Sequence, residues 1–407
     1  MRQVFSHRRR RIRWLSIGVA CIFLVWCYIL YKSLFINYNQ KNLHSHSPSL
    51  TTISSFLYDV ENIDIFVKHT PVKYNYHVFY YPWYGNPEYD SKKYYHWNHP
   101  RLAHWNREKA SHYPQHSHIP PDDIGSNFYP LLGAYSSRSL HIIDKHMRMI
   151  RMSGAGTLSI SWYPPGMSDD QGYPWDDLVP RILNAAEKYK LKVCFHIEPY
   201  KNRTADNVIY SSNYILRRYG SHPAFYRYKN KGFFYIYDSY QIPSDEWHRK
   251  LKSILPSDRQ AYFVGLILKS NECRQLASAG FDAAYSYFAA NGFTEASTSQ
   301  RWKSIVEECK PIPFIPSVGP GYIDTNIRPW NGETTRMRNN GNYYRQMFKD
   351  LPHGEDRIVT ITSFNEWHEG TQIEPAIEKT DTKTITYEKY HQGPYTYIHL
   401  TRELIFA

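Results

Sequence analysis

Eight short apolar runs, separated by longer stretches of helical periodicity, constrain this 407-residue chain more than any other feature. The runs cover residues 77–84, 157–163, 192–200, 233–240, 262–268, 281–287, 312–318 and 358–366. Amphipathic stretches lie between most of them, at 137–152, 177–189, 205–218, 245–254, 298–309 and 340–349, with a last one near 395–405. Strands that alternate with helices make repeated βα units. Eight such units predict a (β/α)8 TIM barrel. The competing architecture is an open doubly wound sheet, which carries a glycine-rich phosphate turn after its first strand. None follows Tyr84. The connection over 85–136 is long and aromatic, and such loops in compact domains are usually functional. It is expected to wall a binding site.

A barrel delivers its chemistry from the C-terminal ends of its strands. Strand one ends in Tyr81 and Tyr84, strand two in Trp162 and Tyr163, and strand three in His196 and Glu198. Strand four ends in Tyr237, Asp238 and Tyr240, strand six in Tyr287, and strand seven runs into Tyr322. Strand eight carries Asn365 and Glu366, with Glu369 just beyond. For each residue alone the plain alternative is a satisfied polar group at a strand terminus; His196 reads at least as well as structural support, while Glu198 and Asp238 lean toward function. Together they predict a site. Aromatic walls suit the apolar faces of sugars, and Glu198 and Asp238 suit sugar hydroxyls. Glu366 and Glu369 suggest a glycosidase-like acid/base pair. The 37 tyrosines and 11 tryptophans agree with this without deciding it, because many rings are simply core.

Other chemistries are poorly served. His96, His99 and His104, and again His112, His116 and His118, cluster in sequence without zinc-site spacing. No metal and no cofactor is expected. No Gly-x-Ser-x-Gly elbow offers a serine nucleophile. Arg2, Arg8, Arg9, Arg10, Arg11 and Arg13 supply half of the formal charge of +12. The remainder is only mildly basic and carries no nucleic-acid motif.

Residues 14–31 contain no charged side chain. That run is long enough to span a bilayer, and the arginines before it are expected to stay in the cytosol. A cleaved signal peptide fits less well, since no small-x-small site follows closely. The expected organisation is a cytoplasmic tail at 1–13, a signal anchor at 14–31, a flexible lumenal stem at 32–70 and a hydrolase domain at 71–407. Cys21 and Cys27 fall in the anchor. Cys194, Cys273 and Cys309 then allow at most one disulfide, and Cys194, inside an apolar strand, reads as a buried free thiol. Asn202-Arg203-Thr204 is a glycosylation sequon beside a strand end.

Several longer motifs are similar to those of glycoside hydrolase family 99. They are Phe79-Tyr80-Tyr81-Pro82-Trp83-Tyr84-Gly85-Asn86-Pro87, His96-Trp97-Asn98-His99-Pro100 and Pro120-Pro121-Asp122-Asp123-Ile124-Gly125-Ser126. Ser161-Trp162-Tyr163-Pro164-Pro165, Phe195-His196-Ile197-Glu198-Pro199-Tyr200, Tyr322-Ile323-Asp324-Thr325 and Arg328-Pro329-Trp330-Asn331 follow, and the stretch 365–374 completes the set. The resemblance spans about residues 71–403. It implies a Golgi enzyme that cleaves α-1,2-mannosidic bonds inside glucosylated high-mannose N-glycans, with retention. The product would be Glc-α-1,3-Man or a longer glucosylated form. It further implies that the substrate's own 2-hydroxyl attacks the anomeric carbon to give a 1,2-anhydro sugar. Glu366 would be the base for that hydroxyl, and Glu369 the acid for the leaving oxygen. Glu369 would then need a raised pKa, which burial against Trp367 and tyrosine rings would supply. Tyr81, Tyr84, Tyr163, Glu198, Tyr240 and Tyr287 would contact the glucose and mannose units.

Two rival functions share parts of this pattern. An anchored Golgi glycosyltransferase that uses a metal would carry Asp-x-Asp, which is absent. A glycan-binding barrel without catalysis would not need both glutamates.

Overall fold

The computed structural model describes residues 62–407 apart from 101–106, 114–116, 170, 172–174, 255–258, 355–356 and 380–385. The expected tail and anchor, and most of the stem, lie outside the described residues. Among the described residues, no helix is long and apolar enough to cross a membrane.

Eight parallel strands form the barrel. They are β1 (Lys73–Tyr80), β2 (Ala155–Trp162), β3 (Lys192–Ile197), β4 (Lys231–Ile236), β5 (Ala261–Leu266) and β6 (Ala283–Tyr285). Strand β7 is split into Phe314–Ile315 and Ser317–Val318, and β8 is Val359–Ile361. Consecutive strands pair in parallel from β1 to β6. The first half of β7 pairs with β6, the second half with β8, and β8 returns to β1. The break falls at Pro316, which has no N–H to give to a ladder.

Alternation along the strands sorts side chains between lumen and helix layer. Phe79 on β1 lies 5.5 Å from Tyr235 on β4, and Tyr235 lies 4.9 Å from Tyr285 on β6. None of these strands are neighbours, so the rings meet across the lumen, which is packed with aromatic side chains. On the outer side, Phe195 of β3 stacks on Tyr219 of the helix that follows it.

Nine helices concern us: α1 (Ile63–His69), α2 (Leu140–Ser153), α3 (Val179–Lys188), α4 (Ala205–Tyr219), α5 (Ser244–Lys252), α6 (Glu272–Ala279), α7 (Trp302–Glu308), α8 (Asn342–Lys349) and α9 (Thr396–Phe406). Helix α2 buries Ile143, Met147 and Ile150, an i, i+4, i+7 stripe. It stops at Gly154, whose φ of 86° suits glycine and where a Cβ would meet the Phe406 ring at 2.8 Å. Helix α4 starts in a capping box between Thr204 and Asn207. Helix α6 was not anticipated from the sequence.

Helix α1 falls within the expected stem, yet it is docked. Asn62 caps it, Phe66 is fully buried edge-on to Tyr189, and Arg151 donates to Val67 O and Thr70 Oγ1. Folded structure therefore already exists at residue 62, ahead of the boundary expected at 71. Cys273 in α6 is disulfide-bonded to Cys309 at the end of α7, and Cys194 is a buried free thiol.

Candidate active site

The chain leaves β8 and crosses the barrel mouth as a loop over residues 363–374. One end is tied to β1: Phe364 N donates to Phe79 O at 2.8 Å. The Asn365 side chain clamps Tyr81, accepting from its N–H at 2.8 Å and donating to its carbonyl at 2.9 Å. The Tyr84 hydroxyl donates to Asn365 O and accepts from Trp367 N–H, both at 3.0 Å. The other end is tied by Glu374, which is fully buried. Its carboxylate accepts from Tyr135 OH and Trp367 Nε1, both at 2.9 Å, and from His146 Nε2 at 3.1 Å. His146 in turn accepts from Tyr80 OH at 3.0 Å.

Between these anchors stand the two candidate catalytic residues. Glu366 is buried and accepts from His368 N–H at 3.1 Å. Burial raises its pKa well above the usual carboxylate range, and the nearby charge of Glu369 adds to this. Glu369 lies partly open to the cleft. Burial pushes its pKa up to about 7, against the opposing pull of Arg328 and with help from Asp324 and Glu198. Arg328 is held by Asp324 at 2.9 Å. The cleft has a volume of about 640 Å³ and is lined by Glu366, Glu369, Arg328 and Tyr163, with Trp83, His96 and His99 on another side. The long connection after β1 thus walls the site, as expected.

Several sequence-predicted residues gather below the pair. The hydroxyls of Tyr81 and Tyr287 hydrogen-bond to each other. His196 Nδ1 lies 3.1 Å from Glu198 Oε1, its Nε2 lies 2.8 Å from Tyr285 OH, and its ring stacks on Tyr287. Tyr237 packs 4.8 Å from Tyr287. Tyr322 donates to Asp324 Oδ2 at 2.9 Å, and burial together with Glu369 raises its pKa well above the ordinary phenol value.

Others lie elsewhere. Trp162 ends β2 on the outward phase: its indole donates to Asp176 and its ring stacks on Tyr214 of α4. Tyr84 spends its hydroxyl on the loop, and Asn365 spends its amide on Tyr81, so both position the loop rather than meet a sugar. Tyr240 is 46% exposed, donates to Asp238 Oδ1 at 2.7 Å, and lines a small flank pocket with Trp247 and Leu276. The Asp238 carboxylate also accepts from the Gln241 side chain, so both of its oxygens are engaged by its own turn. The Trp367 indole donates to Glu374, and burial is the first cause of the raised Glu369 pKa, as expected.

Arg328, His368 and Glu374 were not singled out from the sequence, although all three lie in quoted motifs. His368 joins His96 and His99: one nitrogen of each ring lies within 4.8 Å of the other two. His96 also stacks on Trp83, 4.5 Å between centroids. Burial and neighbouring histidines push His99 down to about 3 and His368 well below its usual range, so both are neutral. His104 and His116, grouped with them by sequence, lie outside the described residues.

The model of glycosyl hydrolase family 99 matches residues 71–405. The glycoprotein endo-alpha-1,2-mannosidase of Xenopus laevis is 49% identical over 346 residues, 82% of this chain and 77% of the relative. The human glycoprotein endo-alpha-1,2-mannosidase-like protein is 47% identical over 340 residues, 80% and 74% of the two chains. Among solved structures, the GH99 endo-alpha-mannosidase from Bacteroides thetaiotaomicron superposes with a TM-score of 0.75 at 42% identity, covering 82% of this chain and 97% of that one. A matched barrel with two coupled glutamates at its mouth, over nearly the whole described chain, leaves a single assignment: the chain belongs to glycosyl hydrolase family 99.

Proposed function

We propose that this protein is a retaining, endo-acting α-1,2-mannosidase. It would cut glucosylated high-mannose N-glycans and release Glc-α-1,3-Man or longer glucosylated forms. The observation that carries the reading is the Glu366–Glu369 pair, whose pKa values are both raised in one walled cleft. The names of the relatives support the bond specificity.

In this mechanism the mannose 2-hydroxyl is the nucleophile. Glu366 takes its proton as the oxygen attacks the anomeric carbon, and Glu369 gives a proton to the departing oxygen. The products of this step are the leaving glycan and a 1,2-anhydro sugar. Water, activated by Glu369, then opens the anhydro ring, and Glu366 returns its proton. The pair must hold one proton, placed on Glu369. In the free cleft, burial favours a proton on Glu366 as well. A 2-hydroxyl that donates a hydrogen bond to Glu366 stabilises its ionised form and leaves the proton to Glu369. Glu198, oriented by His196, is placed to accept from a sugar hydroxyl, and Tyr163 supplies an aromatic wall.

We further propose a type II Golgi enzyme, with the arginines at 1–13 cytosolic and the uncharged run at 14–31 in the membrane. The Cys273–Cys309 disulfide supports an oxidising compartment for the barrel. The test is incubation of the full chain with monoglucosylated Man9 glycan, with and without Glu366→Gln. Release of a Glc-Man disaccharide by the parent alone is the expected result. A folded parent that releases nothing would return the glycan-binding alternative to the front.

A further inference from the structure

His96, His99 and His368 play no part in the mechanism above, yet they share a wall of the cleft. Their polar contacts have a common form. His96 Nε2 lies 2.7 Å from Asp169 Oδ2, His99 Nδ1 lies 3.0 Å from Pro100 O, and His368 Nε2 lies 2.9 Å from His96 O. His99 and His368 each commit one nitrogen to a carbonyl oxygen and leave the other as a lone pair, and His96 sets Nε2 against the Asp169 carboxylate without hydrogen-bond geometry. A carboxylate or carbonyl behind each imidazole is the arrangement that orients histidines around a metal.

The remaining nitrogens are poorly served by protein. Both nitrogens of His96 are buried without a hydrogen bond, Nε2 having only its close contact with Asp169. His368 Nδ1 faces Glu366 Oε1 at 3.7 Å, too far for a hydrogen bond, so two acceptors confront each other. A cation between them would satisfy both.

We propose that His96, His99 and His368, with Glu366 as fourth ligand, form a binding site for a zinc-class transition-metal dication. Three imidazoles and a carboxylate favour zinc, cobalt, nickel or copper over magnesium or calcium. Tetrahedral coordination places nitrogens roughly 3.4 Å apart, so the rings close in from their present 4.8 Å limit. Metal on Glu366 and proton abstraction by Glu366 exclude each other, which makes the site a brake on hydrolysis rather than part of it.

The test is direct metal binding. The full chain is purified without a polyhistidine tag, stripped with EDTA, and titrated with ZnCl2. Bound zinc is counted after desalting, and cobalt substitution reports geometry through its visible bands. The expected result is one zinc per chain, binding weakened at least tenfold in His99→Ala and in His368→Ala, and several-fold in Glu366→Gln. Near-UV circular dichroism confirms the fold of each variant, and either histidine variant suffices if the other fails to fold. No stoichiometric zinc on the parent, or unchanged binding in a folded histidine variant, overturns the proposal. The count needs no turnover, so failure of the assigned substrate would not be mistaken for failure here.

Discussion

Glu366 and Glu374 sit at opposite ends of one loop, 3% and 0% exposed, and differ in almost everything else. Glu374 accepts from a phenol, an indole and an imidazole. Glu366 receives a backbone N–H, shares its cleft with Glu369 and feels the charge of Glu198. A buried acid that accepts three hydrogen bonds from fixed donors is an anchor. A buried acid with few donors and like charges around it is under electrostatic stress, and that stress is what catalytic acids and bases exploit. The contrast teaches that burial alone does not identify a catalytic carboxylate. The donor count does.

Four substitutions probe this contrast. Glu366→Gln should lower kcat about 10³-fold, in the range for loss of a general base, while the melting temperature stays level or rises because a stressed charge is gone. A drop in melting temperature comparable to that of an anchor mutant would break the contrast. Glu369→Gln should cost about 10²-fold on substrates with poor leaving groups. In the parent, Glu369 must be protonated to act as acid, so kcat/KM should fall as pH rises through about 7. That limb belongs to the coupled pair and should vanish in Glu369→Gln; a limb that persists would move the acid elsewhere.

Glu374→Ala should act the other way round. It leaves buried donors on Tyr135, Trp367 and His146 unpaired and should destabilise the fold by about 3 kcal/mol, read from denaturant unfolding. Tyr135→Phe removes one of those bonds and should cost about 1 kcal/mol, with kcat within about twofold of the parent. A large loss of kcat without loss of stability in either variant would mean that the anchor also does chemistry.

The barrel was legible because the strands, apart from the first half of β1, are almost wholly buried on both faces and read as apolar runs. Helix α6 escaped because it is only eight residues long and buries Cys273, Leu276 and Ala279, a stripe too sparse to show periodicity. Helix α1 escaped for a related reason, since Phe66 alone anchors its buried side. At the site, Glu366 and Glu369 were visible because strand eight delivers them together. Trp162 was misjudged by one step of strand phase, which sends a side chain to the opposite face. The roles of Glu374 and His368 were not legible, because their partners lie 228 and 272 positions away in the chain. No local pattern encodes such meetings.

The last helix also meets the first strand. Arg402 donates to Pro71 O at 3.1 Å, and Lys73 lies over the Phe406 ring. These contacts sit at the start of β1, at the opposite end of the barrel from Glu366. The ring of strands therefore has a seam held without a covalent bond, and that seam is remote from the chemistry. A circularly permuted chain that keeps α1, joined from 406 to 62 by a linker and opened in an exposed turn such as that around Lys229 and Asn230, should still close the same barrel and keep the same mouth. In that sense the order in which this protein is written is a convention of its gene, and the order in which its strands embrace is the property that the cleft depends on.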